Sequence, residues 1–227
     1  VCAAIRIGLK SIGSISDVHI SHCSMKNVWR EGIKIECSEG GNISDINIQD
    51  ITMNDVSRPI FILLNNRFEP DDLGSSLELD HIPEIGTMSD IIISDIIASD
   101  SDEMRNTHYR FDDDVMGSPK FAGIRIDAEK NHPIRNLTLR NISYKFIGGV
   151  KLSDIPNEYP EVIDKLIDCD TLSSENYYPD WSRASFMDIR NIIGLNVRNI
   201  QCFAIYPDER RGIITENVQF SDNSDNL

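Results

Sequence analysis

Two short phrases return along this chain at a fixed internal step, and a repeat constrains a fold more tightly than any local propensity. The first phrase reads Ile5-Arg6-Ile7, Ile33-Lys34-Ile35 and Ile124-Arg125-Ile126. The second reads Ile15-Ser16-Asp17-Val18-His19-Ile20-Ser21-His22-Cys23, and is matched by Ile43 to Ile51, Met88 to Ile96 and Ile134 to Ile142. From Ile5 to Val18, Ile33 to Ile46 and Ile124 to Leu137 the step is 13 residues each time. Later copies are weaker. Pro59 to Leu63 is a first phrase whose partner begins only at Met88. Phe186 to Ile189 with Leu195 to Cys202 makes a fifth unit, and Ile213 to Phe220 a degenerate sixth.

Both phrases alternate apolar with polar residues and are rich in Val, Ile and Thr, which predicts half-buried strands rather than helices. Units begin about 27 residues apart (Ile5, Ile33, Ile60). One unit cannot bury its own apolar face. Several must stack, inward Ile, Val and Leu over their equivalents, about 4.8 Å per step. The chain is therefore expected to be all-β, a parallel β-helix with long loop insertions. A β-sandwich or propeller does not predict in-register phrases at a constant offset. Asp50, Asp95, Asn141, Asn199 and Asn217, with His22 in the first unit, share one repeat position. Asn and Asp tolerate tight turns, so a polar corner ladder is expected there. Asn42, Asn136 and Asn141 match the glycosylation acceptor pattern. Because they recur inside the repeat, coil geometry is their first reading.

The repeat runs across most of the 227 residues, so a single domain, 1–227, is expected. A net charge of -15 argues against nucleic acid as a partner, and an acidic polymer would need a local basic patch. There is no run of 18 apolar residues, so neither a transmembrane helix nor a membrane partner is expected. No signal peptide is visible. Five cysteines show no metal-type spacing; Cys23 and Cys202 occupy apolar or small repeat positions and read as packed thiols. Val1-Cys2-Ala3-Ala4 enters a strand with no amphipathic cap, so the chain reads as the C-terminal part of a longer β-helix.

Insertions are expected at 67–87, 99–119 and 151–183, the last with a short helix near 158–168. Such loops often wall a binding face.

Several stretches resemble glycoside hydrolase family 28, the polygalacturonase-like enzymes. Gly32-Ile33-Lys34-Ile35-Glu36, Gly40-Gly41-Asn42-Ile43, Ile48 to Met53 and Arg58-Pro59-Ile60 follow the family's order and spacing. Tyr159-Pro160-Glu161, Ile189-Arg190, Gly194-Leu195-Asn196-Val197 and Pro207-Asp208-Glu209-Arg210 are similar to the tail of bacterial members. The resemblance implies a right-handed single-stranded parallel β-helix of the pectin lyase-like kind. It also implies inverting hydrolysis of α-linked galacturonic acid or related pectic sugars, without a cofactor, by a secreted or periplasmic protein. Inversion uses one carboxylic acid to protonate the leaving oxygen and a carboxylate to activate water from the opposite side. The family's carboxylates lie in Asn-Thr-Asp and Asp-Asp motifs upstream of a Gly-His-Gly, so the catalytic residues are expected before this chain begins. On the repeat, the Gly-His-Gly histidine falls at Ala3, and the family's Arg-Ile-Lys pair falls at Lys34 and Glu36. Lys34 keeps a cation without the planar fork that grips a carboxylate, and Glu36 reverses the charge.

In the first phrase the residue between two inward ones points outward. Arg6, Lys34, Phe61 and Arg125 then share one face, with Arg6 and Lys34 about 5 Å apart and Glu36 and Asp127 continuing it. With Asn65 and Arg67 these make a candidate binding set for a polysaccharide or oligosaccharide: Arg6, Lys34, Glu36, Asn65, Arg67 and Arg125. The alternative is a solvated face of charges. Asp112-Asp113-Asp114 offers oxygen ligands for calcium but reads first as a solvated acidic loop, so no metal site is expected. Tyr177, Tyr178 and Trp181 suit either a sugar face or a loop anchor. His19 and His108 have no partner at catalytic spacing, and no nucleophile triad or phosphate loop occurs. Two rival functions stand beside the hydrolase: a non-catalytic carbohydrate-binding β-helix, and a pectate-lyase-like enzyme, which would need a calcium site.

Overall fold

The computed structural model describes residues 3–8, 11–66, 68, 81–100, 123–154 and 183–225. Arg67, His108, Asp112 to Asp114, Tyr177, Tyr178, Trp181 and the helix expected near 158–168 lie outside the described residues. What is described is all-β apart from a short 3-10 turn at Leu152–Asp154. Its strands are β1 (Ile5–Ile7), β2 (Ser14–Ile15), β3 (Val18–Cys37), β4 (Asn42–Leu64), β5 (Thr87–Ser99), β6 (Ile124–Ala128), β7 (Ile134–Gly148), β8 (Ala184–Tyr206) and β9 (Arg211–Phe220).

Every pairing between these strands is parallel. Two ladders run through the molecule. In the first, Ile5 pairs with Ile33, Ile33 with Ile60, Ile60 with Ile124, Ile124 with Met187 and Met187 with Ile213. In the second, Ile20 pairs with Ile48, Ile48 with Ile93, Ile93 with Leu139 and Leu139 with Val197. Strands β4 and β8 belong to both ladders, so the sheet closes on itself. The repeat read from the sequence is thus the hydrogen-bonding register itself.

Long strands can serve both ladders because they turn corners. In β4 the inward residues are Ile43, Ile46, Ile48, Ile51, Met53 and Val56, all buried. Their spacing is three, two, three, two, three. Each gap of three contains one residue with positive φ: Asp45 at 54°, Asp50 at 55° and Asp55 at 56°. A left-handed residue takes up one extra step and restarts the alternation on the next face, as in a bulge. Asp17, His22 and Asn27 do this in the first unit, Asp90 and Asp95 in β5, and Asn136 and Asn141 in β7. Gly194, at φ 79°, takes the place of Asn136 one unit on, where an added Cβ would lie 2.9 Å from the Asn136 Oδ1. Asn and Asp are the non-glycine residues that bear this conformation most readily.

The corner side chains also stack. Asn136 Nδ2 donates to Asp90 Oδ1 at 2.9 Å, Asn141 Nδ2 to Asp95 Oδ1 at 2.9 Å, and Asn199 Nδ2 to Asn141 Oδ1 at 3.0 Å. Ser89, then Asn136, hold the exposed Asp90 carboxyl below its ordinary range, and Asn141 is the main cause of the same shift at Asp95. The sequence reading needs one correction. Asn217 does not stand below Asn199; its Nδ2 donates to Asn191 Oδ1 at 3.0 Å. The fifth unit is shorter at the corner between its phrases: Ile126 precedes Ile134 by eight residues, but their partners Ile189 and Ile192 are three apart. Strand β9 follows the first ladder there, and Asp225 Oδ2 instead accepts from the Asn199 N–H, at 2.8 Å.

The core is the stack of inward columns. In one of them Tyr144 replaces a smaller residue, with Ala98 on one side and Cys202 on the other making room. Its hydroxyl donates to the Ser57 carbonyl at 3.1 Å, so the buried oxygen is satisfied. Cys23 and Cys202 pack against the core without bridging. Burial, then Asp208, push the Cys202 thiol up to about 12, so it is no nucleophile at neutral pH.

Asn141→Ala removes two ladder hydrogen bonds and places a Cβ-bearing residue at φ 52° with nothing to favour it. It is expected to destabilise the protein by about 2 kcal/mol, and Asn141→Gly by roughly half as much, since glycine restores the backbone but not the ladder. Urea unfolding of both variants checks the order; an alanine variant as stable as the glycine one removes the corner argument.

Candidate functional site

The outward face of the first ladder carries two parallel columns of side chains. One column is Arg6, Lys34, Phe61, Arg125, Asp188 and Ile214, each the registered partner of the next. The other holds Glu36, Leu63, Asp127, Arg190 and Glu216 in the same register two residues on. Parallel strands place equivalents about 4.8 Å apart, so these side chains are neighbours both along a strand and across units.

The face is not solvated, which corrects one of the two readings drawn from the sequence. Lys34 is 4 % exposed, Arg125 2 %, and Glu36, Phe61, Leu63, Asp127 and Asp188 no more than 1 %. Phe61 and Leu63 lie outside the core cluster yet are fully buried, so the molecule has a second buried face. Charges can leave water there because they are paired by sign. Glu36 takes Arg6 Nη2 at 3.0 Å and Lys34 Nζ at 2.9 Å. Lys34 Nζ lies 5.2 Å from the Phe61 ring centre, and Arg58 Cζ 5.4 Å from it. Arg58 also approaches Glu31 at 3.7 Å. Around Phe61, then, an aromatic ring carries two cations, and each cation has a carboxylate.

Two units further on the signs form a checkerboard. Arg125 precedes Asp127 on one strand and is registered with Asp188, which precedes Arg190 on the next, and the Arg190 charge acts on Asp127. Arg125 Nη2 donates to Asp127 Oδ2 at 3.4 Å. Arg183 Nη2 stands 3.6 Å and Arg190 Nε 3.7 Å from Asp188 Oδ1, within ion-pair range but beyond a hydrogen bond. Arg183 reaches Glu216 Oε2 at 3.1 Å. Burial pushes the Asp127 carboxyl above its ordinary range; Arg125 and Arg190 oppose that, and Asp188 adds to it. Neither oxygen of Asp188, nor Asp127 Oδ1, accepts a hydrogen bond.

Of the residues singled out from the sequence, Arg6, Lys34 and Glu36 are brought together, and Arg125 lies in the same column beyond Phe61. Asn65, the next alternate residue after Leu63, is 1 % exposed, and its side-chain amide has no hydrogen-bond partner. Arg67 lies outside the described residues. The sequence reading missed Asp188, Arg190 and Arg183. The signal was present in the fifth first phrase, Met187-Asp188-Ile189-Arg190, where alternate residues carry the charges of Arg125 and Asp127 in reverse order. Glu31 and Arg58 gave no such signal, because they precede the phrases. Among the described residues no group of three or more His, Cys, Asp or Glu is placed to hold a metal ion. Comparison with protein-family models, with curated proteins and with solved structures finds no match.

The raised Asp127 value has a pH consequence. Between the ordinary carboxylate range and the raised value the folded state binds the proton and the unfolded state does not, so stability falls as pH rises through that window. Asp127→Asn removes this dependence. Its melting temperature, relative to the parent protein, is expected to drop as pH is lowered from about 7 to about 4. Scanning calorimetry at four pH values tests this; a variant whose melting temperature rises relative to the parent on acidification contradicts it.

Proposed function

We propose that the closed parallel sheet is a right-handed parallel β-helix, and that the first-ladder face takes an acidic polysaccharide in a glycoside hydrolase of the polygalacturonase-like kind. A chain that pairs with its own equivalents in two ladders, once every unit, is winding about an axis. Parallel crossovers are right-handed in the great majority of proteins, which supports the hand. The resemblance at Gly32 to Glu36 and Arg58 to Ile60 supports the chemistry.

The observation that carries the reading is the meeting of Arg6 and Lys34, equivalents in successive units, on Glu36 beside Phe61. Cations in register along the axis suit a polymer that carries a carboxylate on each ring. Arg6 is the more accessible of the two. A guanidinium has five N–H donors, and the Arg6 side chain is 24 % exposed, so Arg6 can hold Glu36 and still reach a sugar carboxylate. On this reading the acid and base of inverting hydrolysis come from outside these 227 residues.

One observation favours a second reading, a non-catalytic carbohydrate-binding β-helix. Glu36 places a buried negative charge beside both cations, which opposes an acidic sugar.

The purified chain is expected to retain polygalacturonate in affinity electrophoresis and to release no reducing ends from it. Arg6→Gln should weaken retention about tenfold, the loss expected for one charge-assisted contact. Reducing-end release by this chain overturns the assignment of catalysis to residues outside it. Failure of the parent chain to retain the polymer overturns the saccharide reading as a whole.

A further inference from the structure

Asp188 is the least satisfied charged group among the described residues. It is 1 % exposed, and neither of its oxygens accepts a hydrogen bond. A carboxylate is acceptor-only and offers about four lone-pair directions. Leaving it buried and undonated is costly, so such a group is suited to a donor. Arg183 and Arg190 supply charge at 3.6 and 3.7 Å but no hydrogen bond to it. Asp127, diagonally across the register, adds a third undonated oxygen, Oδ1. The two carboxylates stand on adjacent units, and strand spacing with two residues of rise puts their Cα atoms about 8 Å apart.

Exposure rises outward from Asp188. Side-chain exposure falls from 50 % at Glu216 through 30 % at Arg183 to 1 % at Asp188, and Arg183 touches both carboxylates. Arg183 bridges the exposed and the buried carboxylate, so a ligand that reaches Asp188 displaces it from both and replaces its charge with hydroxyl donors.

We propose that Asp188 and Asp127 form a hydroxyl-accepting subsite for a neutral sugar ring, reached past the Arg183–Glu216 pair. The inference rests on the saccharide reading of this face and refines it. Three acceptor oxygens on two units call for a ligand with several O–H donors at pyranose spacing. The ligand is neutral because a sugar carboxylate would meet two carboxylates already in place, while the flanking cations Arg125 and Arg190 are engaged by them. The face is therefore graded. The Arg6–Lys34 end takes a charged ring, and the Asp127–Asp188 end takes an uncharged or esterified one.

The test uses trigalacturonate and its methyl ester, titrated calorimetrically into the protein. Asp188→Asn, which keeps the shape and removes the charge, is expected to weaken binding of the ester at least tenfold. It should leave trigalacturonate within about twofold of the parent or slightly tighter. Because that variant can also disturb folding, a ligand-side probe accompanies it. A deoxy analogue of the ester, lacking one hydroxyl per ring, should bind the unaltered protein at least tenfold more weakly than the ester, since its absence leaves a buried acceptor undonated. Equal binding of ester and deoxy analogue overturns the inference and assigns those oxygens to ordered water alone. So does an Asp188→Asn variant that binds the ester as well as the parent. In both cases bound trigalacturonate leaves the wider saccharide reading standing; no binding of either trisaccharide overturns both.

Discussion

The chain turns the corners of the second ladder through a backbone conformation that L-amino acids resist, and the Asp and Asn at most of those positions are what allow it. Left-handed φ costs about 1–2 kcal/mol for an ordinary residue. Here it recurs every five residues within a unit, at Asp45, Asp50 and Asp55, and again at the equivalents in other units. Each such residue resets the alternation, so inward Ile and Leu keep facing inward as the strand turns. Stacking multiplies the effect, since a corner in one unit has meaning only if its neighbours turn at the same place. The hydrophobic columns and the corner columns are thus one constraint, satisfied together in every unit.

Outside those columns the first ladder solves a harder problem. Its outward face is largely buried, yet it carries more charged groups than apolar ones. Register supplies the solution. Because equivalents lie one strand spacing apart, alternating the sign along a strand and reversing it on the next gives every charge two opposite neighbours. Arg125–Asp127 over Asp188–Arg190 is that arrangement, and Arg6 with Lys34 closing on Glu36 is a three-membered version. A buried network of this kind is weak as a source of stability and strong as a source of specificity, because any slip in register brings like charges together.

Much of this was legible in the residues before any coordinates. The unit length, the parallel register and the neighbours Arg6 and Lys34 follow from repeating phrases, since like residues stacked over like is what a repeat means physically. The Asp50, Asp95, Asn141 and Asn199 column was legible for the same reason. Two things were not. Asn217 was placed in the wrong column because the fifth unit omits residues at one corner, and the degenerate last copy gives no independent register. The burial of Lys34, Arg125 and Asp127 was hidden because alternation tells which side of a strand a residue takes, not whether that side meets water. The partners that make burial tolerable, Arg183, Arg58 and Glu31, sit outside the phrases.

The corner columns differ in chemistry from one end of the molecule to the other. Toward the later units they are amides, Asn136, Asn141 and Asn199, each handing a hydrogen to the unit before it. Toward the first units they are carboxylates, with Asp17, Asp45 and Asp90 at one corner and Asp50 and Asp95 at the other. An amide gives and accepts, so a column of amides sustains itself indefinitely. A carboxylate only accepts, so where carboxylates meet the chain of donation stops and like charges face one another across about 5 Å of aqueous surface. Dissolved ions screen that repulsion and leave the amide column untouched. Ionic strength therefore acts as a dial on the carboxylate end of these columns, tightening the early units in brine and loosening them in dilute buffer.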